Sequence, residues 1–389
     1  MKKLRGLSNK ENIHHEETKH VSRRDFIKTV ATGAAVITTG KSLDASFVSM
    51  AEAGQYSTAP KKSAHLFSAV GRVVEVQDEL VAAKSYDPDA SIVQKMMDRG
   101  MRELTGKSSL VEAWRSFVSP EDVVGIKVNV TGGKVVMSNY AVINSIIDGL
   151  KSAGIKENNI IVWERHSGRL ETVGFKLNKS SQGVRIYATG DGVGYDPEVY
   201  YDTNIPGELR ESDLEYGKKE ISTRSYFSKI VTQQITKLIT VPVIKDASQA
   251  GIAITLKNLS FGTVDNTPRF HPPDILCDPA IPEICANPVL RDKAVLHILD
   301  AVHAQYNGGP QGNPQWVWNY NSILFSTDPV ALDYLGAQII NEKRKKEGMP
   351  ELAKAGKDPR HINTAARKGL GTNDPGKIDH LKIDLTEVS

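Results

Sequence analysis

Short apolar runs alternate along the chain with stretches whose apolar positions recur every three or four residues. Residues 123–130 and 160–163 are nearly continuous apolar runs, the pattern of strands buried on both faces. Residues 68–76, 184–188, 238–244, 294–299, 323–325 and 381–385 read as further strands. Between them, Val142, Ile143, Ile146, Ile147 and Leu150 form a helical stripe that Gly154 stops. An earlier helix opens at Asp87-Pro88 and carries Ile92, Met96, Arg99 and Leu104. Ser109 and Glu112 have capping-box spacing ahead of a short helix through Phe117. Asp328 followed by Pro329 starts a long helix with Leu332, Leu335 and Ile339, because a proline in the first turn removes no hydrogen bond the helix needs. Residues 248–259 are also expected to be helical. Residues 190–228, rich in Gly, Asp, Tyr and Pro, show no clear period and read as an irregular insertion with room for short strands. Strands alternating with helices predict an α/β fold: a largely parallel sheet with helices on both faces and the insertion around 190–228. The pattern predicts one domain over residues 54–389.

In open α/β sheets ligands sit beyond the carboxyl ends of the strands. Those ends carry Asn129, Thr131 and Lys134; then Glu164, Arg165 and His166; then Lys245 and Asp246; then Asp300 and His303; and last Ser326, Thr327 and Asp328. Loops are polar anyway, which accounts for part of the pattern. It accounts less well for Lys127, which interrupts an apolar strand. Two-residue alternation puts Lys127 and Asn129 on one face with Gly125 and Thr131, and Val124, Ile126, Val128 and Val130 on the other. A lysine there pairs with a carboxylate or faces a pocket. Residues 245–271 add Lys257, Asn258, Gly262, Asp265, Asn266, Arg269 and His271, more polarity than core-building needs.

We therefore expect one shared cavity. Lys127, Asn129, Lys257 and Asn258 would bind or polarise an anion, while His271, Asp300 and Asp333 would supply acid–base or metal-ligand chemistry. The simpler alternative ties each residue locally, with Asp333 exposed on its helix, Lys257 on a helix surface and His271 in a structural loop. The Thr131-Gly-Gly-Lys134 turn lacks Walker spacing and reads first as a plain turn, second as a phosphate cradle.

Composition narrows the function classes. The chain has 389 residues, 40% hydrophobic and 24% charged, which is globular. Of its 49 Lys/Arg and 46 Asp/Glu, residues 1–53 hold 9 and 6, leaving 40 of each. A neutral body argues against nucleic acid as the main partner. Two cysteines, Cys277 and Cys285, are too few for a four-thiolate iron–sulphur cluster on this chain. In an oxidising compartment a disulfide between them is an option, and a divalent metal is left open.

The first 53 residues read as an address. Arg23 and Arg24 precede Phe26 and Lys28, a weakly apolar segment follows, and Ala51-Glu52-Ala53 is a small-x-small cleavage pattern. This resembles a twin-arginine (Tat) signal, which implies the Tat machinery as a partner and a periplasmic or otherwise exported protein. The apolar segment at 29–39 is far short of the ~18 residues a membrane helix needs.

As a set, Val124-Gly-Ile-Lys-Val-Asn129, Leu256-Lys-Asn-Leu259 with Gly262, Gly308-Gly-Pro310 and Ser326-Thr-Asp-Pro-Val-Ala-Leu-Asp333 resemble the domain of unknown function 362 family. Other members are sometimes joined to ferredoxin-type iron–sulphur modules, which this chain lacks. The resemblance implies the domain and transfers no catalytic residue. We expect an exported enzyme acting on a small anionic ligand, with or without the help of a divalent metal. The alternative is a non-catalytic cofactor- or metal-binding accessory protein for an exported redox enzyme, and a third option is an envelope interaction protein.

Overall fold

The computed structural model describes residues 67–82, 86–190, 192–208 and 221–386. Arg23, Arg24 and the cleavage pattern at 51–53 lie outside the described residues. The described residues all belong to one compact unit, Ala59–Ser389.

The strands in chain order are β1 (Arg72–Gln77), β2 (Val124–Val128), β3 (Ile160–Glu164), β4 (Arg185–Ala188), β5 (Tyr195–Glu208), β6 (Ile221–Ser228), β7 (Lys237–Val241), β8 (Val243–Ala247), β9 (Gly251–Ile252), β10 (Ala294–Gln305), β11 (Val317–Ser326) and β12 (Asp379–Asp384). The main helices are α1 (Ala90–Thr105), α2 (Leu110–Arg115), α3 (Tyr140–Ser152), α4 (Ser167–Val173), α5 (Thr255–Ser260), α6 (Ala280–Ala286), α7 (Pro288–Arg291), α8 (Pro329–Lys346) and α9 (His361–Arg367).

The central sheet runs β12-β1-β11-β10-β7-β2-β3-β4. Neighbours pair in parallel except that β11 is antiparallel to both β1 and β10. Alternation along each strand feeds two cores. Val124, Ile126, Val128, Ile160, Val162, Ile239 and Ile298 pack with the apolar stripes of α1 and α3 on one face. Ile161, Trp163, Leu238, Leu299 and Leu324 pack with α5, α6, α8 and α9 on the other. Helices therefore cover both faces, and the fold is mixed α/β with a mostly parallel sheet.

Local chemistry places the helix starts. The Asp89 carboxylate accepts from the N–H groups of Ser91 (2.9 Å) and Ile92 (3.1 Å) ahead of α1. Asp328 does the same for Val330 and Ala331, each at 2.9 Å, ahead of α8.

The 190–228 insertion holds a separate two-stranded antiparallel sheet, β5 with β6. Phe227 is buried in the core, and Val199, Tyr201 and Ile205 pack against it. Two sequence expectations need correction. Residues 248–259 are not one helix: a turn and β9 precede α5. Gly251 has φ +77° there, and a Cβ on it would lie 2.4 Å from the Lys357 carbonyl oxygen, so the chain bends where a helix would continue. The run at 294–299 extends to Gln305, which puts Asp300 and His303 inside β10 rather than beyond its end.

Candidate functional site

The β2 alternation directs Lys127 to the face covered by α5. Paired with Trp163 of β3 in parallel register, its Nζ lies 5.4 Å from the Trp163 ring centre. Lys127 is fully buried. It donates to the Val128 carbonyl (2.7 Å), to Glu164 Oε1 (3.3 Å) and to Asn258 Oδ1 (3.3 Å). Asn258 Nδ2 in turn donates to the Lys127 carbonyl at 3.3 Å. One side chain thus ties α5 to β2. The packing is close: a Cβ on Gly262 would lie 2.5 Å from Lys127 Cε and 2.5 Å from the Asn258 carbonyl oxygen. Glycine is what lets the lysine pass.

Glu164 closes the other side. Its Oε2 accepts from the His166 N–H at 2.9 Å and from the Arg165 N–H. Burial pushes its carboxyl up, but the Lys127 ammonium and the His166 N–H outweigh that and hold it below the usual range. For Lys127 burial dominates and lowers the ammonium, against the opposing pull of Glu164.

Above this pair lies a cavity of about 470 Å³, within the roughly 300–1,000 Å³ of small-molecule sites. It sits at the carboxyl ends of β2 and β3, where an α/β sheet places its ligands. Its lining carries Lys245, Lys257, Arg165 and Arg169 against one carboxylate, Glu164, among the described residues. Lys245 Nζ donates to Asn129 Oδ1 at 2.9 Å, and the same oxygen accepts from the Thr131 N–H at 3.3 Å. Lys245 is fully buried. Burial, then the charge of Lys257, pushes its ammonium down to about 7. Lys257 is partly buried, with its Nζ 5.8 Å from the Phe261 ring centre. Burial lowers it as well. Among the described residues no carboxylate lies within ion-pair distance of Lys257 or Lys245.

Four of the seven residues expected to converge, Asn129, Lys257, Asn258 and His271, line this cavity, and Lys127 lies directly beneath, bonded to two of the lining side chains. His271 Nδ1 is 3.0 Å from the Thr267 carbonyl oxygen. The two aspartates are corrections. Asp300 follows the β10 alternation onto the opposite face, where it accepts from the Asn139 N–H (2.6 Å) and Nδ2 (2.9 Å) and anchors the start of α3. Burial pushes its carboxyl up to about 6. Asp333 is fully buried on α8. It accepts from the N–H groups of Thr255 (2.6 Å) and Leu256 (3.1 Å), capping α5 from a distant helix. It positions Lys257 and Asn258 without reaching the ligand space.

Glu164, Lys245 and Arg169 belong to the site although they lie outside the expected set. The signal for the first two is the charged residue that closes an apolar run; Arg169 on α4 has no such signal. Cys277 and Cys285 are free, buried thiols, so the disulfide considered for them is not formed. Burial raises Cys277 to about 11, and Cys285 donates to the Leu256 carbonyl at 3.3 Å. Among the described residues no group of three or more His, Cys, Asp or Glu side chains is placed to hold a metal ion.

Residues 124–338, more than half of the chain, match the family described as Domain of unknown function (DUF362). The chain belongs to the DUF362 family. Every cavity residue, from Asn129 to Gln311, falls inside the DUF362 segment, as do Lys127 and Asp333. Strands β1 and β12 extend the sheet outside it, and helix α1 also lies outside it. No curated protein matches the chain. Among solved structures, a Thermotoga maritima protein determined by a structural genomics consortium aligns at 8% identity with a TM-score of 0.30. The alignment covers 73% of this chain and 60% of that one. No helix among the described residues is long and apolar enough to cross a membrane.

Proposed function

We propose that this DUF362 protein is an enzyme acting on a small anionic ligand held in the cavity at the carboxyl ends of β2 and β3. The observation that carries the reading is the charge imbalance. Lys245 and Lys257 face a half-enclosed space with Arg165 and Arg169 beside them, and the one lining carboxylate is already engaged by Lys127. Like charges buried together raise each other's energy, and an anion relieves that cost. Lys257, without a carboxylate partner among the described residues, is the first contact for the ligand charge. Asn129 and Asn258 orient the lysines, and His271 in the cavity lining is the group for proton transfer.

Titration calorimetry with inorganic phosphate, sulphate and small mono- and dicarboxylates tests the reading. At least one should bind, with affinity falling as salt is added. Lys257→Gln should weaken it about ten-fold or more, since a hydrogen bond to a charged group contributes about 1.5–3 kcal/mol. An unchanged affinity in that variant would remove Lys257 from the site. Turnover of a bound anion separates the enzyme from an accessory protein that binds without converting.

Export by the Tat route is the companion proposal, resting on Arg23-Arg24, the weakly apolar segment and the small-x-small pattern at 51–53. Replacing both arginines with lysine should leave uncleaved precursor in the cytoplasm. An unaltered exported yield and size would refute it.

A further inference from the structure

Three lysines meet at this site in three different states. Lys127 is closed off: its ammonium is spent on Glu164, Asn258 and a backbone carbonyl. Lys257 lies against Phe261 and lines the cavity with no ion-pair partner among the described residues. Lys245 lines the same cavity, is fully buried, and its Nζ makes one hydrogen bond among the described residues, to the amide oxygen of Asn129. That oxygen is held in place by the Thr131 N–H. A buried amine beside a second cation, with one N–H anchored, is the arrangement that turns lysine into a nucleophile toward carbonyl carbon. As a free amine Lys245 donates one N–H to Asn129 and keeps its lone pair for the cavity.

We propose that Lys245 forms a Schiff base with the carbonyl carbon of a small oxo acid whose carboxylate is held by Lys257, an assignment that rests on the anionic-ligand reading above. The step balances without a further reagent. The Lys245 ammonium first gives up a proton, and its nitrogen then bonds to the carbonyl carbon while that carbonyl oxygen takes a proton. The carbon–oxygen bond then breaks and the oxygen leaves as water, so ammonium plus carbonyl gives iminium plus water with no net change in protons. Nothing is oxidised or reduced. Burial and the Lys257 charge, which bring Lys245 down to about 7, leave a sizeable fraction as free amine near neutral pH. Ordinary surface lysines, near 10.4, hold almost none. Both lysines line one cavity, so we give them separate roles, Lys257 for the ligand's charge and Lys245 for covalent capture.

The experiment uses the full chain with pyruvate as probe and sodium cyanoborohydride as trap, at neutral pH, followed by intact mass and peptide mapping. One carboxyethyl group on Lys245 is expected, ahead of every other lysine, and none at that position in Lys245→Arg. Acetone, which has the carbonyl and no charge, should trap on the same residue. Lys257→Gln should raise the half-saturating pyruvate about ten-fold, and its effect on acetone, which carries no carboxylate, should be clearly smaller. The wild-type peptide map decides the residue even if the arginine variant folds poorly. Trapping spread over surface lysines, or none on Lys245 while calorimetry shows pyruvate bound, overturns the Lys245 assignment and leaves the anion site standing. Acetone trapping on Lys245 without pyruvate binding does the reverse, and neither trapping nor binding defeats both.

Discussion

Replacing Glu164 with leucine is expected to destabilise the protein by about 3–5 kcal/mol, the cost of leaving one member of a buried ion pair alone. Glu164 is the partner of a lysine with no exposed surface, at 3.3 Å, and its second oxygen serves the N–H groups of Arg165 and His166. Without it the Lys127 ammonium keeps its burial cost, and burial already lowers it. The double change Lys127→Met with Glu164→Leu should recover most of the loss, because two apolar groups of similar volume need no partner. Urea denaturation of the wild type, the single variant and the double variant reads the difference directly. The pair also carries a pH signature. The Glu164 carboxyl is held below its ordinary value of 4.5 in the folded protein. Its contribution is therefore complete above that value and is lost as pH falls through the folded one. Wild type should lose stability below about pH 4.5 more steeply than the double variant. A single variant within 1 kcal/mol of wild type would mean that Lys127 folds as a neutral amine and that Glu164 has a different task.

The second large effect is at Asp333, which touches no part of the cavity. Asp333→Ala leaves the Thr255 and Leu256 N–H groups without their acceptor inside a fully buried region. Hydrogen bonds to a charged group contribute about 1.5–3 kcal/mol each. A loss of about 3–4 kcal/mol is expected, with Asp333→Asn losing less because it keeps the shape and one acceptor. The informative measurement is amide exchange. In Asp333→Asn the Thr255 and Leu256 amides should exchange faster by more than the global change explains, since α5 is only six residues long and has no side-chain cap of its own. Ligand affinity should fall with it, because α5 carries both Lys257 and Asn258. If those two amides track the global change, the carboxylate is a bystander and α5 is held by packing alone.

The strands of the parallel core were legible because they need only local information. A run such as residues 124–128 is apolar at nearly every position, and the exception, Lys127, sits at the register that two-residue alternation assigns to the face opposite Val124, Ile126 and Val128. The same alternation misleads when the length of a strand is misread. With β10 taken to end at 299, Asp300 reads as a loop residue at the cavity mouth; continued to Gln305, the strand turns Asp300 to the face of α3. The insertion was legible only as an insertion with room for short strands, because Val199, Tyr201, Ile205 and Phe227 pack on the core without a regular period along the chain.

What joins the site together is long-range. Glu164 meets Lys127 because β3 pairs beside β2, and Lys245 reaches Asn129 because the β7–β8 segment runs along the other side of β2. Asp333 caps a helix whose N–H groups lie 78 and 77 positions earlier in the chain. Periodicity is a property of neighbouring residues and can be read from them. A partner for a buried charge is chosen by sheet order and helix packing, and no spacing along the chain records it.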